Sequence, residues 1–357
     1  MEVIESEAAK QFWRWANLTQ RIFLGPLTPR LRTPSEVCFM WGKVRLLHTI
    51  ARGRTLPVPI LIVPPLMVRP EIFDLRAGHS FVNTLAEAGF DVFLLDFGVP
   101  DKEDRSITVK DYVDSYIADA VEKMMEASRA RQITMLGWSM GGIMIYLYAS
   151  LESRTSGHRN GVDSRVRNIV TLGSPVDYAR MFPFNVLAKL GKLPLKMFIG
   201  LLGNIPPFFT RNGFRLLSPV GLINRYMDLL TNYWDKEWVA GFESINDWVD
   251  SFIPYPGEAF KEFVQDFIIE DRLKQGSLII DGKKVDLKRI HSSILAFVGT
   301  QDKIARAGSV DPIAKLVSSK DILIKHVPLG HIGLVAGGPA PSQVWEPCVE
   351  WLLDRSN

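Results

Sequence analysis

Along this chain, short runs of β-branched and other apolar residues alternate with longer stretches in which apolar positions recur every three to four residues. The runs PVPILIV (57–63), DVFLLD (91–96), QITML (132–136), NIVTLG (168–173), ILAFVG (294–299) and DILIKHV (321–327) are almost unbroken by polar residues. A strand with one wet face alternates, so runs without alternation predict strands covered on both faces, as in a parallel sheet between helix layers. Between them, SFVNTLAEAG (80–89), 109–131 and MGGIMIYLYASLE (140–152) carry the helical period. That order predicts an α/β architecture with a mostly parallel, doubly wound sheet.

The rhythm fails between Gly173 and Ile294, where stretches rich in Phe, Trp, Leu, Met and Pro show no clear strand pattern. An excursion of that length is too long for a loop and predicts a mainly helical cap inserted into the core. The expected organisation is a first core part over 1–175 with an N-terminal helical extension, a cap over 176–290 and a last core part over 291–357. FWRWANLTQRIF (12–23) predicts an amphipathic helix packed on the core. The cap's aromatics are expected to fill its own small core, with some lining an acyl pocket.

The 42 basic and 39 acidic residues nearly balance, at a net charge of +3, so no nucleic-acid partner is expected. Cys38 and Cys348, far apart, make neither a disulfide framework nor a zinc pattern, and no metal is expected. The opening MEVIESEAAKQFWRW lacks a basic segment followed by an apolar one. The greasiest stretch, 193–209, holds Lys196, Asn204 and three prolines and falls short of a membrane span. A cytoplasmic protein without a transmembrane segment is the resulting expectation.

The chemistry centres on GWSMG (137–141), which follows an expected strand and opens an expected helix. This is the G-x-S-x-G nucleophile elbow of the α/β-hydrolase fold in the context it requires, with Ser139 lifted clear of the sheet. A serine hydroxyl needs a base, and of six histidines only His331 sits in a turn beyond the last strand, in VPLGHIGLVAGG. His326, inside the strand run, and His48, His79, His158 and His291, at other elements, read as structural. Asp302, just past ILAFVG, is the carboxylate expected to orient the base, since Asp96 and Asp101 precede Ser139 and break the Ser…Asp…His order. The oxyanion hole should take the N–H of Met140 and one from the early loop VPPLMVRP (63–70), with Leu66 or Met67 as donor.

The segment 63–101, with its IFDL and D-x-G-x-P-D, the GWSMGG elbow and the tail from VPLGHIGLVAGG onward resemble polyhydroxyalkanoate synthases, most closely the short, two-subunit type. The resemblance covers about 57–180 and 290–352. It implies an acyl-transfer enzyme for (R)-3-hydroxyacyl thioesters or polyesters and puts Ser139, Asp302 and His331 on the family's three catalytic positions. It also implies a polyester granule surface and a second synthase-type subunit or a homodimer as partners. No cofactor is implied, with coenzyme A entering only as part of substrate or product.

Two positions depart from the family: its nucleophile is a cysteine where this chain has Ser139, and the residue after its catalytic Asp is commonly His where this chain has Lys303. A thiolate exchanges one thioester for another at little cost, whereas serine forms the oxyester of ordinary esterases. On that ground the first expectation is a serine esterase, thioesterase or polyester depolymerase. A working synthase that polymerises (R)-3-hydroxyacyl-CoA comes second, and a non-catalytic granule-associated relative third.

Overall fold

The computed structural model describes residues 6–23, 25, 32–53, 55–151, 165–181, 203–216, 228–229 and 231–356. His158 and much of the expected cap, 182–202 and 217–227, lie outside them. Eight strands form one sheet in the order β1–β2–β4–β3–β5–β6–β7–β8. These are β1 (Glu36–Trp41), β2 (Val44–Thr49), β3 (Ile60–Val63), β4 (Val92–Asp96), β5 (Ile133–Trp138), β6 (Val166–Leu172), β7 (Ser293–Gly299) and β8 (Ile322–Val327). From β4 to β8 all neighbours run parallel, and β2 pairs antiparallel with both β1 and β4.

The six apolar runs became the six parallel strands. The central ones, β3 to β5, are buried at every position, which is why they lack alternation. The β1–β2 hairpin was missed. β1 (EVCFMW) lies at the sheet edge with no fully buried residue, so burial imposed no pattern on it. Its turn is made at Gly42, with φ of 60°, and Lys43. β3 starts at Ile60 rather than at Pro57, in keeping with the missing N–H of Pro57 and Pro59.

Of the helices, α1 spans Glu7–Phe23, α2 Phe81–Glu87, α3 Ala118–Ser128, α4 Met140–Ser150, α5 Lys236–Asp250 and α6 Glu346–Leu353. Ser80 caps α2 by accepting from Asn83 N at 2.9 Å. α3 is entered through a π-helical turn, Asp111–Ile117, and closed by Arg129 in the left-handed region. α4 is buried on all sides, which its composition allows: MGGIMIYLYAS carries no charge, and Tyr146 shares a hydrogen bond with Thr171 Oγ1 at 2.9 Å. Beyond α5, buried residues such as Tyr255, Phe267, Val285 and Ile290 join the same apolar cluster as α4 and β5.

Helix α1 forms as its period predicts but docks inside out. Asn17, 2 % exposed, donates to the carbonyls of Tyr233 and Trp234 at 2.8 and 3.2 Å. Arg14 donates to Thr231 O at 3.2 Å and Arg21 pairs with Glu243 at 2.6 Å. Phe12, Trp15, Ile22 and Phe23 face outward instead, Trp15 at 67 % exposure. The surface α1 meets offers acceptors, three carbonyls and a carboxylate, which the helix's donors satisfy. No helix of the described residues is long and apolar enough to cross a membrane.

Candidate active site

β5 delivers Ser139, the candidate nucleophile. Val63 and Leu172 of the flanking strands pair with Gly137 and Trp138, and the chain then turns at Ser139 with φ of 52° and ψ of −122°. Ser139 N donates to Leu172 O at 2.8 Å, while its carbonyl accepts from Gly142 N at 3.1 Å and starts α4. A non-glycine residue in this region is strained by about 1–3 kcal/mol and persists only where its surroundings over-determine it. Three glycines supply the clearance. A Cβ on Gly137 would stand 2.5 Å from Gly142 N, one on Gly141 2.1 Å from Val63 O, and one on Gly142 2.1 Å from Ser174 Oγ.

Gly141 gives a direct test of that packing. Val63 is bound into the sheet through β3 and cannot yield to a methyl group. Gly141→Ala is expected to cost about 3 kcal/mol of unfolding free energy in a denaturant titration. A loss below about 1 kcal/mol would show that the elbow can shift.

The candidate acid–base pair comes from the far side of the sheet. Asp302 follows β7, and its Oδ2 lies 2.7 Å from His331 Nδ1 in the turn after β8. Its Oδ1 accepts from Ile304 N and Ala305 N at 2.8 and 2.9 Å, so the carboxylate is fixed by its own turn. Both residues are buried. An acceptor on Nδ1 keeps the proton there and leaves Nε2 with a free lone pair, the form a general base needs. Gly173, at φ of 53°, passes so close that a Cβ would lie 3.2 Å from Asp302 Oδ2 and 3.3 Å from His331 Nδ1. The elbow and the His331 turn are joined directly, because Trp138 Nε1 donates to the His331 carbonyl at 3.1 Å.

The early loop and α5 close over the elbow. The Gly141–Val63 approach sets the start of the loop against α4, with Leu66 buried and Met67 half-buried. Met67 O accepts from Ile253 N at 3.2 Å, and Arg69 O from the Trp248 indole at 2.9 Å. Trp248 also packs on Trp138, ring centres 5.8 Å apart, and the Tyr255 hydroxyl donates to Met140 Sδ at 3.1 Å. Burial raises the Tyr255 phenol well above its ordinary pKa, so it remains a donor. The N–H of Met140 sits at the start of an 11-residue helix, where the backbone favours negative charge.

Three of the other histidines have separate surroundings. His79 bonds Ala336 O at 3.1 Å, His48 stacks on Phe93 at 4.2 Å, and His326 meets Asp311 at 3.1 Å. Asp96 and Asp101 of the D-x-G-x-P-D segment hold the edge hairpin, Asp96 to Arg45 and Asp101 to Lys43. Among the described residues no group of three His, Cys, Asp or Glu could hold a metal ion. Sequence reading missed Gly173 and the contacts of Trp138 and Trp248, whose partners are far away along the chain.

A family model described as alpha/beta hydrolase fold matches residues 70–335. Among curated relatives, a "Poly(3-hydroxyalkanoate) polymerase subunit PhaC" of Haloferax mediterranei is 34% identical over 91% of this chain and 65% of its own length. The chain thus spans a little under two thirds of that relative. A protein of the same name from Allochromatium vinosum is 31% identical over 84% of this chain and 81% of its own length. Among solved structures, the Paleococcus ferrophilus monoacylglycerol lipase superposes with a TM-score of 0.55 at 17% identity, covering 87% of this chain and 99% of the lipase. A thermophilic esterase from Thermogutta terrifontis gives 0.52 at 15% identity, covering 92% and 100%. Both bear on fold alone.

Proposed function

Since the chain belongs to the α/β-hydrolase fold family and, within it, to the polyhydroxyalkanoate synthases, we propose that it builds polyester, taking hydroxyacyl groups from CoA thioesters onto Ser139. The observation that carries this reading is the likeness to polymerase subunits across most of the chain. It supports polymerisation over the hydrolysis that Ser139 alone favoured.

In the proposed cycle, His331 Nε2 takes the Ser139 proton as Oγ attacks the thioester carbonyl. The C–S bond breaks, the proton passes to the CoA sulfur, and an acyl ester remains on Ser139. Met140 N–H, with Leu66 or Met67, would hold the developing oxyanion. His331 then takes a proton from an acceptor hydroxyl, which attacks the acyl ester. The Oγ–acyl bond breaks, the proton returns to Oγ, and the acceptor is one unit longer. In this reading Trp248, Phe252 and Tyr255 exclude water and line the acyl pocket. That the relatives are named as subunits supports a second synthase-type subunit as partner, and a polyester product supports work at a granule surface.

Hydrolysis is the second reading, favoured by one atom. Loading serine from a thioester is downhill, and passing the acyl group on to an alcohol exchanges one oxyester for another. The energy drop therefore comes before chain transfer, and the waiting acyl-serine is exposed to water for longer. The two readings separate when the full chain receives 3-hydroxybutyryl-CoA and a hydroxyl-terminated 3-hydroxybutyrate oligomer. Oligomers lengthened in step with CoA release are the expected result. Free 3-hydroxybutyrate in stoichiometry with CoA, at unchanged oligomer length, would make the protein a hydrolase.

A further inference from the structure

We infer that Trp138, the middle residue of the stretch between Gly137 and Ser139, is a positioning residue for His331, an inference that rests on the reading of Ser139 and His331 as a nucleophile–base pair. Proton transfer requires the base nitrogen within about 2.6–3.2 Å of the serine oxygen, and the tolerance is tight because efficiency depends on approach and alignment. Ser139 is fixed by the elbow, whereas His331 sits in a turn reached only after β8. Asp302 restrains the imidazole at Nδ1 but says nothing about the backbone that carries the ring. That backbone is tied on one side at Leu329, whose carbonyl accepts from Gln301 N at 3.2 Å, and on the other through Ile332, whose carbonyl accepts from Ala336 N at 2.9 Å.

Between these ties the His331 carbonyl is held by Trp138, whose buried indole donates to it at 3.1 Å. The rings of the two residues also pack, centres 5.1 Å apart at 39°. Trp138 and Ser139 are neighbours in the chain, so one peptide unit sets the nucleophile and, through the indole, the height of the base above it. The indole is itself held from the other side. Trp248 of α5 packs on it at 5.8 Å and spends its own N–H on Arg69 O at 2.9 Å. A side chain confined between the base and the covering helix transmits the position of each to the other.

The test uses the full chain with Trp138→Phe, which keeps an aromatic ring and removes the donor. Trp345→Phe is the control. Its indole makes a comparable buried bond, to Val335 O at 3.2 Å, and its ring packs on His79 and Phe81. Three readouts are taken: thermal midpoint, the rate of Ser139 labelling by a fluorophosphonate, and the far-downfield proton resonance of the Asp302–His331 hydrogen bond. Both variants should lower the midpoint by similar amounts. Trp138→Phe alone should slow labelling and kcat about tenfold at nearly unchanged KM, one hydrogen bond's worth of alignment, and should shift or broaden the resonance. Wild-type labelling and resonance in Trp138→Phe would reduce Trp138 to packing. Should the wild type not label at Ser139, the nucleophile reading fails, while the resonance still reports whether Trp138 holds His331.

Discussion

Ser139→Ala is expected to release no CoA from 3-hydroxybutyryl-CoA above background, a fall in turnover of about six orders of magnitude. The loss is that large because the proposed nucleophile and base act as a unit: without Oγ, His331 has nothing to deprotonate and no atom is left to take the acyl group. The fold should tolerate the change, since the contacts of Ser139 that start α4 are made by its backbone. Circular dichroism and the thermal midpoint check this, and CoA release is followed by thiol titration. Residual release above about one part in a thousand from a folded variant would move the acylation site elsewhere. Ser139→Cys separates chemistry from geometry. It turns the intermediate into a thioester, so transfer to an oligomer hydroxyl becomes downhill and the ratio of lengthened oligomer to free acid should rise. A ratio that falls would mean that the site cannot seat sulfur and that Ser139 is tuned for oxygen.

Asp302→Asn is expected to cost about four orders of magnitude in kcat with little change in KM. The new amide can keep its oxygen on Ile304 N and Ala305 N, the bonds that Oδ1 now makes. Its NH2 then faces Nδ1 of His331, which must become the acceptor, and the imidazole proton moves to Nε2. A base protonated on the side facing Ser139 cannot take a proton from it. Labelling of Ser139 by a fluorophosphonate should slow in parallel, and the thermal midpoint should shift by only a few degrees. A variant that labels at the wild-type rate would show that another group orients His331.

What could be read from the sequence was what each stretch settles locally. The buried parallel strands announced themselves as apolar runs because nothing polar fits on either face. The elbow was legible because GWSMGG needs its glycines within a single turn, and the order of strand ends singled out Asp302 and His331. The edge hairpin was not legible, because Val37 and Met40 of β1 face solvent and no burial pattern marks it. Nor was the orientation of α1. Its period is correct, but which face docks depends on the carbonyls of Thr231, Tyr233 and Trp234, more than 200 residues away. The same limit hides Trp138, whose neighbour in sequence is Ser139 but whose partners His331 and Trp248 meet it only in the folded chain.

The backbone of Ser139 sets two pressures against each other over evolutionary time. At φ of 52° the residue best suited to the turn is glycine, which adopts such angles without penalty. Drift under selection for robustness alone would carry position 139 to glycine and leave a sturdier protein with no hydroxyl. A lineage that retains a side chain there accepts the strain for as long as the side chain has a use. If Ser139 is the nucleophile, the torsion is a record of use, and descendants relieved of catalysis should be recognisable by a glycine at position 139, where the hydroxyl once stood.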